Sequence, residues 1–366
     1  MTAEPEKQYS DFWDKLLPAY PISKGSMRLP IVSELIEIEN FNHSEFQRNL
    51  LEILEDILNT QATKEKAIER VSDAGDDKLI PLIDSEYTGT VRFDCLWNPE
   101  TKLVSILEIN CDYPDGLLLH DKTYSALAET ETSLHKDLFG KLFYENEDIS
   151  VFHSPDAFFL DGYHAEADSL AELGHNVTRI TDTWDIPHGT TIRRCLETSK
   201  LTDKYINELI RSKSRLINTI ALRTLGYKNL LSYIEHSYIP KTIKVTHNNR
   251  SYCMEEKNNL VLKPTDGCEG YGIHFGNNIN DIEWAKLIED VVDKNYIAQQ
   301  LVHIPKMTIP LYEDGTIIEK TLYYDLCPHF FIKKGEVIGA GHTLMRFSEN
   351  KIVNVTQGGG IGYYKL

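Results

Sequence analysis

The chain has 366 residues, 41% hydrophobic and 26% charged, with a formal net charge of −18. That is enough apolar material for one large core or a few small ones, and the acidity excludes nucleic acid and anionic lipid as general partners. The opening MTAEPEKQYSDFW is polar and acidic, no run approaches the ~20 apolar residues of a membrane span, and the six cysteines form no Cys-x-x-Cys pair, so free thiols in a reducing cytoplasm are expected.

Residues 1–84 read as a helical region. In HSEFQRNLLEILEDILNTQ, Phe46, Leu50, Ile53 and Ile57 recur at helical spacing, with Ser44 as N-cap. YTGTVRFDCLWNPETKLVSILEIN reads as two strands about an Asn98–Lys102 turn. AFFLDGYHAEADSLAELGHNVTRI reads as strand, helix, glycine and strand, a small α/β unit. DKYINELIRSKSRLINTIALRTLG reads as a helix pair or one long helix closing on Gly226. SYCMEEKNNLVLKPTDGCEGYGIHFG reads as two strands, the second running into a glycine-rich loop. NDIEWAKLIEDVVDKN is a helix capped by Asn280 or Asp281, and YIAQQLV a short buried strand. The segment from YYDLCPHFF to VNVTQGGG predicts a strand meander turning at Lys334-Gly335 and Glu349-Asn350.

Side chains on a strand alternate faces. With a symmetric turn, Arg92 faces Glu108 and Asp94 faces Ile106, so Arg92, Asp94, Glu108 and Asn110 project from one side of the hairpin. Phe93, Cys95, Leu107 and Ile109 then project from the other, toward a core. Two carboxylates and a carboxamide are oxygen donors suited to Mg²⁺, and an adjacent arginine suits a phosphate bound to that metal. The alternative is a solvated sheet face carrying a cross-strand Arg–Glu pair.

LVLKPTDGCEGYGIHFG puts Lys263 at the end of an apolar strand, followed by Gly267, Gly270 and Gly272. Glycines let backbone N–H groups approach a phosphate, and the lysine reaches an α- or β-phosphate. No Gly-Lys-Ser/Thr follows, and no helix clearly starts at the loop, so this is neither a Walker loop nor a Rossmann fingerprint. A glycine-rich hairpin with an exposed lysine remains the alternative. Lys213, in IRSKSRLINTI, is expected at a helix start, and taken alone reads as a solvated lysine. Gln299 and Gln300 point to opposite faces of their strand, so one of them can face adenine.

In order along the chain, R-x-D, E-x-N-x-D-x-P-x-G, S-K, I-P-K-T, L-x-K-P-x-x-G-x-E-G-x-G, I-x-Q-Q and G-x-x-x-x-R resemble the circularly permuted ATP-grasp enzymes, of which glutathionylspermidine synthetase is the best-known relative. The resemblance covers residues 85 to 360. It implies a mixed α+β and α/β chain with a circularly permuted ATP-grasp fold, in which two α+β subdomains sandwich ATP. The expected divisions are an N-terminal helical region (1–84), a first part of the core with the metal hairpin (85–145), a small Rossmann-like unit (146–205), a lid (206–303) and a second part of the core (304–366). By position, Lys213 and Lys263 resemble the family's nucleotide-binding lysines, and Asp94, Glu108 and Asn110 its Mg²⁺ ligands. Arg92 resembles the arginine that contacts the transferring phosphate. Arg346 resembles the late arginine that stabilises the acyl-phosphate and tetrahedral stages. The chain is shorter than glutathionylspermidine synthetase, lacks its amidase domain and differs in its VNVTQGGG pattern, which leaves the substrates open.

The implied chemistry is an ATP-dependent carboxylate–amine ligation that releases ADP and phosphate, with ATP and Mg²⁺ required. A carboxylate is a poor electrophile until phosphorylated, and the site must then neutralise phosphate charge and align the acid in line. The partners are a carboxylate and an amine, with neither nucleic acid nor membrane. Backbone N–H groups near Gly358–Gly360 could hold an oxyanion, although a tail needing φ > 0 explains those glycines equally well. No Ser–His–Asp, Cys–His or zinc arrangement stands out. His120, His303 and His342 read as structural or solvated, and Cys111 and Cys268 as small packing groups. Two other functions remain open: an ATP-binding regulator or scaffold without turnover, and a small-molecule kinase.

Overall fold

The computed structural model describes residues 30–365 except 115–116, 118, 154–159, 182–187, 196–200, 268–269, 314–315 and 356–358. After the short strand β1 (Ile31–Val32) comes a helix, His43–Gln61, which buries Phe46, Leu50, Ile53 and Ile57 as its spacing predicts. Its N-cap is Asn42, whose side chain accepts from the Glu45 N–H at 3.1 Å, and Ser44 lies inside the first turn. A second helix, Lys64–Ala74, is capped by Thr63 and stopped by Gly75 in the left-handed region.

Strands β2 (Gly89–Asn98) and β3 (Leu103–Asn110) form the expected hairpin with a different register. Arg92 lies opposite Asn110 and Asp94 opposite Glu108; beyond a β-bulge at Asp94/Cys95 the pairing continues with Cys95 opposite Ile106. The extra residue, Leu107, is what a symmetric turn could not foresee. Because pairing shifts on both sides of the bulge without changing strand alternation up to Asp94, the four polar residues still share one face.

The small unit is a four-stranded parallel sheet ordered β5-β4-β6-β7, from β4 (Asp148–His153), β5 (Asn176–Thr181), β6 (Thr191–Cys195) and β7 (Arg215–Ile217). Its first strand precedes the expected AFFL segment, where Ala157–Phe159 fall outside the described residues and Leu160 opens the helix Leu160–Glu172. The expected helix pair over 203–226 is also interrupted. Helix Asp203–Ser212 ends on Lys213 in the left-handed region (φ 52°), and Arg215–Ile217 pairs in parallel with β6. The sheet therefore runs past the boundary expected at residue 205. Asn218, just after β7, donates to the carbonyls of Thr90 and Cys111 and so ties this unit to the hairpin.

A second four-stranded sheet, ordered β10-β9-β11-β8, comprises β8 (Thr242–Lys244), β9 (Leu260–Pro264), β10 (His274–Phe275) and β11 (Tyr296–Gln300). The helix Asp281–Val291, capped by Asn280, lays Trp284, Ile288 and Val291 against Leu260, Leu262 and Ala298. The segment expected as a strand near Cys253 is instead a short helix, Arg250–Glu255, fastened where the Trp284 indole donates to the Cys253 carbonyl at 3.0 Å.

The meander supplies β12 (Lys306–Glu313), β13 (Thr316–Cys327), β14 (His329–Lys333), β15 (Glu336–Ala340), β16 (Leu344–Ser348) and β17 (Gly360–Tyr363). With β1 and the hairpin these build a nine-stranded sheet ordered β12-β1-β17-β16-β13-β2-β14-β15, with β3 beside β2. One face carries Phe93, Cys95, Phe330 and Met345 into a core shared with the helix His43–Gln61. The opposite face carries the polar residues. The tail glycines answer to crowding: neither Gly359 nor Gly360 has positive φ, and a Cβ on Gly360 would meet the Phe347 ring and the Pro30 carbonyl within 2.4 Å. Gly358 lies outside the described residues.

Candidate functional site

Three strands, β2, β13 and β16, bring charge to one buried patch. Arg92 Nε donates to Asp94 Oδ1 at 2.8 Å, and Arg346 Nη2 donates to Asp94 Oδ2, also at 2.8 Å. Arg346 also donates from Nε to Asp325 Oδ1 at 3.1 Å, because Asp325 and Arg346 are register partners across β13 and β16. Burial would raise the Asp94 carboxyl, but Arg346 and Arg92 overcome it and hold that group well below the usual carboxylate range. Asp325, buried like Asp94 but sharing Arg346 with it, is raised by that burial. The Cys327 thiol reaches both carboxylates, at 3.4 Å to Asp325 and 3.6 Å to Asp94, and burial pushes it well up. Asp94, Asp325 and Cys327 are, among the described residues, the group whose ligand atoms lie within 4.8 Å of one another.

Glu108 and Asn110 flank this patch on β3. The Asn110 side-chain nitrogen is buried and has no hydrogen-bond partner among the described residues. Glu108 Oε2 pairs with Lys228 Nζ at 3.2 Å, and the same ammonium donates to the Gly267 carbonyl at 2.7 Å. Lys228 thus joins the acidic hairpin to the glycine loop. Lys263, on β9, donates to Gln299 Oε1 at 2.7 Å and to the Leu107 carbonyl at 3.4 Å, the carbonyl of the bulge residue. Burial, reinforced by Lys228 and opposed by Glu108 and Asp94, lowers Lys263 to about 8. Of the two glutamines, Gln299 is buried and faces Lys263, whereas Gln300 is exposed. In the loop after β9, Gly270 and Gly272 have positive φ, 77° and 74°, a backbone that L side chains rarely adopt.

Most of the expected residues gather here; Lys213 does not. It caps the C-terminus of its helix, is exposed, and lines a separate recess of about 240 Å³ with Pro81, Leu82, Leu209 and Leu216. The second lysine of the site is Lys228. Its signal was its setting in TLGYKNLLSY: an ammonium buried among Leu225, Tyr227, Leu230 and Leu231 requires partners. Asp325 and Arg223 were missed as well. Arg223, buried, donates to Asp266 Oδ1 at 2.6 Å beside the glycine loop, lies 3.7 Å from Asp112 Oδ2 beyond the hairpin, and stacks on Tyr227.

No protein-family profile matches the chain. Over 117 residues it is 33% identical to an uncharacterized protein of Mycobacterium tuberculosis and 32% identical to one of Mycobacterium leprae. Each match covers 30% of this chain and 20% of the relative, so the chain spans about a fifth of those curated relatives. Among solved structures, the apo form of a glutathione synthetase-like effector from Globodera pallida superposes with a TM-score of 0.64 at 12% identity, covering 100% of this chain and 98% of that one. The chain therefore has an ATP-grasp-like fold. Among the described residues, no helix is long and apolar enough to cross a membrane.

Oxygen donors from Asp94, Glu108 and Asn110 on one face suit a hard cation, and the unspent Asn110 side-chain N–H, a donor, suits an anion beside it. The thiol of Cys327 is a poor partner for Mg²⁺, which favours the Glu108–Asn110 side of the patch for that ion. The oxygen donors on that side fit Mg²⁺.

Proposed function

We propose that this chain is an ATP-dependent carboxylate–amine ligase of the circularly permuted ATP-grasp kind, forming an amide or peptide bond with release of ADP and phosphate. The observation that carries this reading is the Glu108–Lys228–Gly267 bridge, by which the hairpin and the glycine loop face one space. Asp94, Glu108 and Asn110 would hold Mg²⁺, which would offset charge on the β- and γ-phosphates. Lys228 and Lys263 would meet the phosphates, with the Gly267, Gly270 and Gly272 backbone closing over them and Gln299 at the base. Lys228 takes the place first assigned to Lys213.

In the reaction, a carboxylate oxygen attacks the γ-phosphorus as the bond to the β–γ bridging oxygen breaks, leaving an acyl phosphate and ADP. The amine then attacks the acyl carbon, and phosphate leaves as the amine loses a proton. Arg92 would neutralise the transferring group, and Arg346, braced by Asp94 and Asp325, would stabilise the later stages. Arg346→Ala is expected to lower kcat more than it weakens ATP binding, and steady-state kinetics beside nucleotide titration reads that split.

The decisive experiment supplies Mg·ATP with panels of acids and amines. Appearance of ADP and phosphate is expected, with hydroxylamine trapping the activated acid as a hydroxamate; formation of AMP and pyrophosphate would refute the reading. Hydroxamate formation also separates a ligase from a kinase.

Lys263 gives a pH signature. Its folded value of about 8 lies below the ordinary 10.5, so the nucleotide-free site loses this charge as pH rises through about 8. Affinity for Mg·ATP is expected to fall over that range and to be flat in Lys263→Met, by calorimetric titration. Between those two values the unfolded chain holds a proton that the folded chain has released, so this group's contribution to stability rises with pH there.

A further inference from the structure

The helix Lys64–Ala74 and the turn after it grip the segment that carries Lys228. Arg70, buried on that helix, donates from Nε to the Thr224 carbonyl and from Nη2 to the Thr224 hydroxyl, at 3.1 Å each. Asp76, just past Gly75, accepts from the Tyr227 hydroxyl at 2.8 Å. Asp73 pairs with Lys244 on β8 and accepts from the Tyr233 hydroxyl at 3.2 Å. Residues 223–228 are thereby fixed from the N-terminal side. On the other side they press on the end of the hairpin: a Cβ on Gly226 would meet the Cys111 backbone nitrogen at 3.1 Å and the Ile109 carbonyl at 3.3 Å.

From this segment, contacts reach out to the glycine loop. The Arg223 guanidinium lies 4.0 Å from the centre of the Tyr227 ring and donates to Asp266 Oδ1 at 2.6 Å. Lys228, the residue after Tyr227, donates its backbone N–H to the Thr265 carbonyl at 3.0 Å and its ammonium to the Gly267 carbonyl. Asp76, Tyr227, Arg223 and Asp266 thus form an unbroken line from the N-terminal region to the loop, with Lys228 attached at its middle. Each joint is directional. A hydroxyl donating to a carboxylate, and a guanidinium donating to one, are among the stronger hydrogen bonds, and the ring quadrupole holds a cation over the aromatic face.

Apolar burial does not hold this part of the loop, because Asp266 and Gly267 are exposed. Polar contacts to Thr265, Asp266 and Gly267 hold it instead, and they originate in Arg223 and Lys228. Tyr227 lies between those two residues in the chain and is buried under the guanidinium of the first. A tilt of its ring would therefore move both attachments of the loop together, and the hydrogen bond to Asp76 is what opposes that tilt.

We infer that Asp76 is a positioning residue for the glycine loop: through the Tyr227 ring and Arg223 it fixes Asp266, and with it the space between the loop and Glu108 in which Lys228 stands. The N-terminal helical region then has a task in the site without touching any ligand. For the nucleotide the inference rests on the ligase reading, and for the placement of the loop on these contacts alone. A loop already in place meets the phosphates without first being ordered, and the ordering cost avoided appears as affinity.

The test uses the full chain with Asp76→Ala, with Tyr227→Phe, which keeps the ring and removes the hydroxyl, and with Asp266→Ala. Calorimetric titration is expected to show Mg·ATP bound about fivefold more weakly in Asp76→Ala and in Tyr227→Phe, the scale of coupling carried through a packed network. In an Asp266→Ala background, adding Asp76→Ala should change the affinity by less than about twofold, because the line is already cut. A merely structural Asp76 would lower the denaturation midpoint and leave affinity unchanged, or would give losses that multiply in the double variant; either result overturns the inference. Should Asp76→Ala not fold, Tyr227→Phe takes its place in the same cycle. Hydrogen exchange on the nucleotide-free chain separates this inference from the ligase reading. The amides of Gly267, Gly270 and Gly272 are expected to exchange faster in Asp76→Ala, or in Tyr227→Phe in its place, with those of β9 unchanged. Unchanged loop exchange overturns the inference whether or not Mg·ATP binds; faster loop exchange in a chain that binds no Mg·ATP sustains the positioning and removes the ligase reading.

Discussion

Asp94→Asn is expected to lose Mg·ATP turnover and to destabilise the chain by about 3–5 kcal/mol, the cost of leaving a buried charge without its partner. Arg346 would retain Asp325, but Arg92 would lose the carboxylate it shares. Chemical denaturation at neutral pH, with the slope against denaturant unchanged, measures the loss. Because the two guanidiniums hold the Asp94 carboxyl below its ordinary 3.8, the contribution is complete above that value. It disappears only as pH falls through the depressed folded-state value. The wild type should therefore lose stability in strongly acid solution, and the asparagine variant should show a shallower acid limb. A variant as stable as the wild type would mean that the pair of arginines does not depend on Asp94.

Lys228→Met is expected to reduce kcat/KM for ATP by about a hundredfold or more, the scale on which a single preorganised donor to developing charge acts. Lys213→Met should remain within about twofold of wild type. The contrast follows from position: one ammonium spans the hairpin and the glycine loop, whereas the other caps a helix in a separate recess. Equal losses in the two variants, or none in Lys228→Met, would detach the bridge from nucleotide chemistry. Glu108→Gln is a companion change, expected to abolish metal-dependent turnover while leaving the circular dichroism spectrum unaltered.

What the sequence made legible was what alternation and spacing control. Arg92, Asp94, Glu108 and Asn110 share a face because strand alternation requires it, and the bulge at Leu107 altered who faces whom without moving them off that face. Gln299 and Gln300 separated as alternation demands. Long-range pairing was not legible. Arg215–Ile217 is a strand because β6 lies beside it, and no local pattern in IRSKSRLINTI signals that neighbour. Asp325 looked like one polar residue in a meander strand until β16 set Arg346 opposite it. Lys213 was assigned by its place in the motif order; the burial that sets Lys228 apart from it depends on packing between distant segments, which no local pattern signals.

The large sheet has a consequence for biosynthesis. Ile31 pairs with Tyr312 on one side and with Ile361 on the other, so the earliest described strand finds its neighbours only in the last part of the chain. Contacts of such sequence separation form slowly. The hairpin, in which Arg92 already pairs with Asp94, must wait on the ribosome for Arg346 to emerge before Asp94 gains its second guanidinium. Nascent chains stalled before β16 should accordingly engage chaperones, and protection of the hairpin should arise abruptly, after translation has passed β16 and β17.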